Sequence, residues 1–315
     1  MRNIMKKLLS VIIAVALALL TFASCGKPKD NEKLKIVCTT FVQYDFAKNI
    51  LGSDENLILL IDNGADLHGF EPTAEDIVNI GTASLFIYGG GVSDRWVSAT
   101  LEAASNTGLR TFAMMDYVEP LCIEHEHSHG EEEHHHHEEN EVDEHIWLSV
   151  KNAIAIVANL CDAICETDPE NEEKYRSNTE EYIGKLQALD AEYESAISNA
   201  ERDFLLFADR FPFIYLTNDY SLRYHAAFTG CSSETEASTE TMKSLIDHVN
   251  EFSLPYVIQI DGSDGRIAKQ VCEETGAQVL TLNSCQSVAM KDIENGTNYI
   301  DIMTQNLEVL KEALN

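Results

Sequence analysis

The sequence predicts an α/β chain folded as two units with a long helix between them. Three observations carry this. Short apolar runs alternate with helical patterns from residue 34 onward. About thirty residues from 168 then keep helical spacing with almost no breaker. A second alternation of short apolar runs and helical patterns begins near 204. Strands alternating with helices imply parallel sheets, which present their ligand loops at the carboxyl ends of the strands.

Elements follow in order. Residues 1–25 carry a positive start (Arg2, Lys6, Lys7), an apolar run from Leu8 to Ala23 and small residues before Cys25. This is a secretory signal, and the run is short for a membrane span. It resembles a bacterial lipoprotein signal, in which Cys25 would be lipidated and become the mature N-terminus. Residues 26–33 read as a flexible tether. Residues 34–38 and 56–61 are expected strands, with a helix to about 51 between them. The loop from Asp62 to Pro72 is rich in Gly and Asp, and Thr73 to Asp76 has the pattern of a capping box. Strands are expected at 84–88, ending in Gly89-Gly90-Gly91, and at 109–113. His145 to Ser149 resumes order before an apolar helix to about 165. Asp168-Pro169 then opens the long helix, with Pro at its first position. Tyr175, Tyr182, Leu186, Leu189, Tyr193 and Ile197 mark its apolar stripe. Beyond it, strands are expected at 204–208, 256–260 and 278–282, and helices near 238–251, 264–276 and 297–314. The domain boundaries are accordingly 34–166, 167–202 and 203–315.

Bulk properties narrow the function. With 22 Lys and Arg against 53 Asp and Glu, the formal charge is −31. Nucleic acid is excluded as a partner, since phosphate recognition needs clustered basic side chains. The acidity favours solubility and attraction of cations. Of the eight cysteines, seven remain once Cys25 is set aside. The odd number leaves at least one unpaired, and the spacing is not that of a small disulfide scaffold.

Metal coordination is the chemistry most plainly written. Residues 124–144 hold seven of the eleven histidines (His125, His127, His129, His134, His135, His136 and His137) among ten acidic residues. Such a stretch cannot bury a core and is expected to be a surface loop. Imidazole at this density suits zinc, copper or nickel, whereas carboxylates alone would suit calcium or magnesium. The loop reads as an accessory that collects metal at weak, overlapping sites. Within it His125-Glu-His-Ser-His129 formally matches H-E-x-x-H. A zinc protease needs that pattern on an ordered helix, and no amphipathic pattern surrounds it.

His68 and His145 lie where a sheet presents ligands, in Gly64-Ala-Asp-Leu-His-Gly-Phe-Glu-Pro-Thr73 and Asp143-Glu-His-Ile-Trp-Leu-Ser149. These two segments resemble the two first-lobe ligand motifs of the zinc/manganese solute-binding lipoproteins of metal ABC importers. The His- and acid-rich loop before the second motif is similar to that of the zinc-binding members. The resemblance covers nearly all of the mature chain. It implies two pseudo-symmetric lobes joined by one long rigid helix, with the metal in the cleft between them. Zn2+ is the implied cargo, Mn2+ the alternative, and a permease and an ATPase the implied partners. The protein is then expected to be a lipid-anchored monomer on the outer face of a bacterial membrane.

The second-lobe ligands depart from the pattern. The family's third ligand maps to Ala208 in Ala208-Asp-Arg-Phe-Pro-Phe213, and the fourth to the stretch Asn283-Ser-Cys-Gln286, which holds no carboxylate. Remaining donors are His225, Asp209, Asp261, Asn283 and Cys285, of which His225, Asp261 and Asn283 complete the expected set with His68 and His145. Glu71 is expected to orient His68. Two rivals stand beside the importer's receptor. One is a metal-buffering or adhesion lipoprotein without a transport role. The other is a zinc hydrolase, for which no ordered general base is evident.

Overall fold

A computed structural model describes residues 34–62, 65, 67–123, 142–230 and 236–315, and residues 34–315 form one compact unit. The export signal with Cys25, the tether, and the histidines of the 124–144 loop lie outside the described residues.

The first sheet contains β1 (Ile36–Cys38), β2 (Leu57–Leu59), β3 (Leu85–Tyr88) and β4 (Arg110–Ala113), all parallel, in the order β2-β1-β3-β4. α1 (Phe41–Leu51), α2 (Ala74–Gly81) and α3 (Trp96–Ala104) connect them. The second sheet contains β5 (Phe204–Phe211), β6 (Arg223–Thr229), β7 (Tyr256–Ile260) and β8 (Gln278–Leu282), again parallel, in the order β6-β5-β7-β8. The two orders are the same permutation, so the lobes are pseudo-symmetric. The apolar runs make these strands because both faces of a parallel sheet are covered: Ile36, Val37 and Cys38 are wholly buried.

α4 (Val150–Thr167) is capped by Ser149, whose hydroxyl accepts from the Asn152 amide. A turn at Pro169–Asn171 then leads into α5 (Glu172–Ser198), whose 27 residues span about 40 Å. The apolar stripe read from its sequence is the buried one: Tyr175, Tyr182, Leu186, Leu189 and Tyr193 all lie inside. One continuous core runs from Ile36 and Leu85 through these helices to Leu205, Ile258 and Tyr299. Among the described residues no helix is long and apolar enough to cross a membrane.

The second lobe is completed by α6 (Ile214–Asp219), α7 (Thr239–Phe252), α8 (Arg266–Thr275), α9 (Met290–Glu294) and α10 (Tyr299–Leu314). Three of these helices fall within a few residues of expectation. Strand β6 and the short helices α6 and α9 were not anticipated. β6 is an edge strand with exposed Arg223 and Tyr224, so it lacks the apolar run that marks a central strand. β5 outlasts its expected end and carries an irregularity between Phe207 and Arg210.

Candidate metal centre

Three loops at the carboxyl edge of the first sheet converge. His68 comes from the turn Leu67–Gly69 after β2, Ser93 from the loop after β3, and Asp143, Glu144 and His145 from the segment after β4. The imidazoles of His68 and His145 meet edge to face, their centroids 5.7 Å apart. Each has a carboxylate on its Nδ1. Asp143 Oδ1 lies 2.8 Å from His145 Nδ1 and also accepts the His145 backbone N–H. Glu144 Oε1 lies 3.0 Å from His68 Nδ1. A carboxylate acceptor puts the ring proton on Nδ1 and the lone pair on Nε2 in the neutral imidazole. This carboxylate–histidine arrangement is the one that supports metal-ligating histidines.

Ser93 completes the contact. Its hydroxyl donates to Glu144 Oε1 over 2.5 Å and lies 2.6 Å from His68 Nδ1, while its backbone N–H donates to Glu144 Oε2 over 2.9 Å. Burial alone would push the Glu144 carboxyl up. The hydrogen bonds from His68 and from the Ser93 side chain and backbone outweigh it and hold the group down at about 2. Glu144 is therefore an anion facing the rings. Nearby, burial pushes Asp94 up to about 6. Its Oδ2 accepts from the Gly90 N–H, so that carboxyl braces the glycine run rather than the histidines.

The second lobe grips the His145 segment. Tyr215 Oη donates to the Asp143 carbonyl over 2.8 Å and accepts from the Leu121 N–H over 3.1 Å. Trp147 Nε1 donates to the Ser284 carbonyl, and Tyr299 Oη donates to the Trp147 carbonyl. Ser149 donates to Asp219. Asp143, Glu144 and His145 are all buried. The motif is thus clamped between lobes, and its tryptophan and serine earn their places by packing and hydrogen bonding.

The remaining expected donors are not brought to this pair. His225 stands opposite Leu206 in the sheet, on the face covered by α7. Its Nε2 is 3.0 Å from Ser244 Oγ, and its ring stacks on His248 at 4.0 Å. His248 is half-buried, with Nδ1 donating to the Ser244 carbonyl. Asp261 directly follows β7, but Oδ1 accepts the Ser284 N–H, fixing the loop after β8. Asn283 Oδ1 accepts the Cys285 N–H. Asn283 borders a separate cavity of about 460 Å³, walled also by Asp292, Asp301 and Gln305 and by neither His68 nor His145. Asp209 is turned inward: Oδ1 takes the Arg210 N–H and Oδ2 the Ile260 N–H. Ala208 packs in the apolar cluster under α7 and α8. Cys285 is fully buried, which pushes its thiol far up. Glu71 is exposed, and the carboxylate on His68 is Glu144 instead. Among the described residues no three His, Cys, Asp or Glu side chains are placed to hold one ion.

Sequence reasoning missed Ser93, Glu144 and Tyr215. Glu144 could have been found, since it lies inside the motif between Asp143 and His145. Ser93 and Tyr215 reach the site only through the tertiary fold.

Known proteins resemble this chain over most of its length. The chain is 32% identical over 316 residues to the high-affinity zinc uptake system protein ZnuA of Bacillus subtilis, covering 97% of each chain. It is 31% identical over 315 residues to the zinc-binding lipoprotein AdcA of Streptococcus pneumoniae, covering 98% of this chain and 61% of AdcA. The chain thus spans under two thirds of that relative's length. The crystal structure of the Zn(II)-bound ZnuA-like domain of Streptococcus pneumoniae AdcA matches with a TM-score of 0.74 at 28% identity, covering 90% of this chain and 99% of that domain. The family model for ZnuA, zinc-uptake complex component A, periplasmic, matches residues 36–313, and the chain belongs to that family.

Proposed function

We propose that the protein is the extracytoplasmic receptor of a metal ABC importer, capturing Zn2+ between its lobes and delivering it to a permease driven by an ATPase. The observation that carries this is the pair of imidazoles, His68 and His145, 5.7 Å apart and each oriented by its own carboxylate. Neutral imidazole is a borderline donor that suits zinc better than calcium or magnesium. The names of the curated relatives and the Zn(II)-bound domain support zinc over manganese. His68 and His145 supply two donors of the roughly four a zinc ion takes. Water or residues outside the described ones supply the rest. In this reading Cys25 carries the lipid anchor on the outer face of the membrane, the 124–144 histidines concentrate metal near the cleft, and the lobes divide at 34–166, 167–202 and 203–315.

Calorimetric titration of the mature protein with zinc and with manganese tests the reading, with and without residues 124–144. Tight zinc binding is expected to survive the deletion and to be lost in His68→Ala/His145→Ala. Loss of tight binding on deletion alone would refute the cleft assignment.

A further inference from the structure

We propose that Glu144 is the positioning residue of the centre, fixing the His68 ring from the neighbouring loop, and that Gly91 is a glycine in order to make room for it. This rests on the reading of His68 as a metal ligand.

Glu144 spends both carboxylate oxygens on the His68 side. Oε1 takes the Ser93 hydroxyl and faces His68 Nδ1, and Oε2 takes the Ser93 backbone N–H. It therefore acts through the imidazole and not as a donor to the ion. Asp143, one residue earlier, does the same for His145. Two consecutive residues thus orient both rings, and the relative attitude of the imidazoles is set by one dipeptide. His68 lies in a short turn, Leu67–Gly69, that has no strand or long helix to hold it. Ser93 ties the turn after β2 to the loop after β3, and Glu144 ties both to the clamped segment that carries His145.

Gly91 is the independent sign that this contact is built in. Its φ is −88°, a conformation open to any residue, so backbone freedom does not explain the glycine. Space does. A Cβ at this position would overlap the Glu144 Cβ and its Oε2, well inside van der Waals contact. Any larger residue at 91 must push the Glu144 side chain off Ser93 and His68.

The chemical consequence is tautomer selection. With Glu144 in place the neutral ring keeps its proton on Nδ1 and offers Nε2. Without it, the proton partitions to Nε2, the nitrogen a metal needs, and the ring loses its rotational anchor. Removing such an orienting partner typically weakens metal binding about 10- to 100-fold.

The test uses the full mature protein and zinc as probe. Nitrogen-15 histidine spectra of the metal-free protein are expected to show His68 as the Nδ1–H tautomer, moving toward Nε2–H in Glu144→Ala while His145 stays unchanged. Zinc affinity is expected to fall about 10- to 100-fold in Glu144→Ala. It should fall in the same direction in Gly91→Ala, and Glu144→Gln, which keeps an oxygen for Nδ1–H, should retain the tautomer. The double variant Gly91→Ala/Glu144→Gly is expected to bind no more weakly than Glu144→Gly alone, because the Cβ and carboxylate of residue 144 that the added methyl would meet are then gone. An unchanged tautomer and affinity in Glu144→Ala, or losses that multiply in the double variant, overturn the proposal. The tautomer is read without metal. If His68→Ala binds zinc as tightly as the wild type, the ligand reading fails, while the Glu144–His68 contact is still judged by the spectra.

Discussion

Asp45→Asn should change the pH dependence of stability by an amount the structure specifies. Asp45 lies on α1 and is buried. Tyr182 Oη donates to its Oδ2 over 3.0 Å and Asn49 Nδ2 donates over 3.2 Å. Burial nonetheless dominates and pushes the carboxyl from 3.8 up to about 6. An acid whose folded value lies above its unfolded value is protonated longer in the native state. The native state then binds more protons than the unfolded chain between about pH 4 and pH 6, so stability is lost as pH rises through that window. The full shift of roughly two units corresponds to about 3 kcal/mol. The isoelectric point of about 4.5 makes pH 5.0 the practical lower limit. Between pH 5.0 and 7.5 roughly one unit of the shift remains, or about 1 kcal/mol. Asparagine cannot ionise. Whatever fixed cost it adds through altered hydrogen bonding cancels when its stability relative to wild type is compared at two pH values. Urea denaturation of the metal-free proteins at pH 5.0, 6.0 and 7.5 should show Asp45→Asn gaining about 1 kcal/mol on the wild type across the range. A relative stability that is flat with pH would refute the claim that Asp45 is ionised against its burial.

Two further substitutions probe how the second lobe holds the site. Tyr215→Phe removes the hydroxyl between the Asp143 carbonyl and the Leu121 N–H and leaves both backbone groups without it. It should cost about 2 kcal/mol in urea denaturation and weaken zinc binding by loosening the His145 segment; unchanged stability would show that the clamp is ornamental. Asn306→Leu keeps the branched shape of the side chain but strips the Asn283 N–H and carbonyl of partners that lie 2.8 Å away in each case. A loss of about 3 kcal/mol is expected in the same assay, and a loss under about 1 kcal/mol would mean the loop after β8 finds other partners.

What the sequence made legible follows from range. The parallel strands are written as short apolar runs, because both their faces are buried, and the stripe of α5 in helical periodicity, because one face is; the capped starts of the helices are local too. Edge strand β6 is not, since it has a polar outer side and a neighbour on one flank only. His68 and His145 stand out in the sequence because each lies in a loop that a parallel sheet must present at its carboxyl edge. Their partners divide instructively. Asp143 and Glu144 stand beside His145 in the chain, but only the fold sends the first to its near neighbour and the second to a ring 76 positions earlier in the numbering. The second-lobe candidates stand apart from that pair for a related reason. His225, Asp261 and Asn283 were chosen by side-chain chemistry and by proximity to strand ends, yet each satisfies a local need: a serine of α7, the Ser284 amide, the Cys285 amide. A polar side chain at a loop is first claimed by the backbone it must satisfy. Donor chemistry alone therefore says less than the partner that fixes a side chain, as Asp143 fixes the His145 ring and Glu144 the His68 ring.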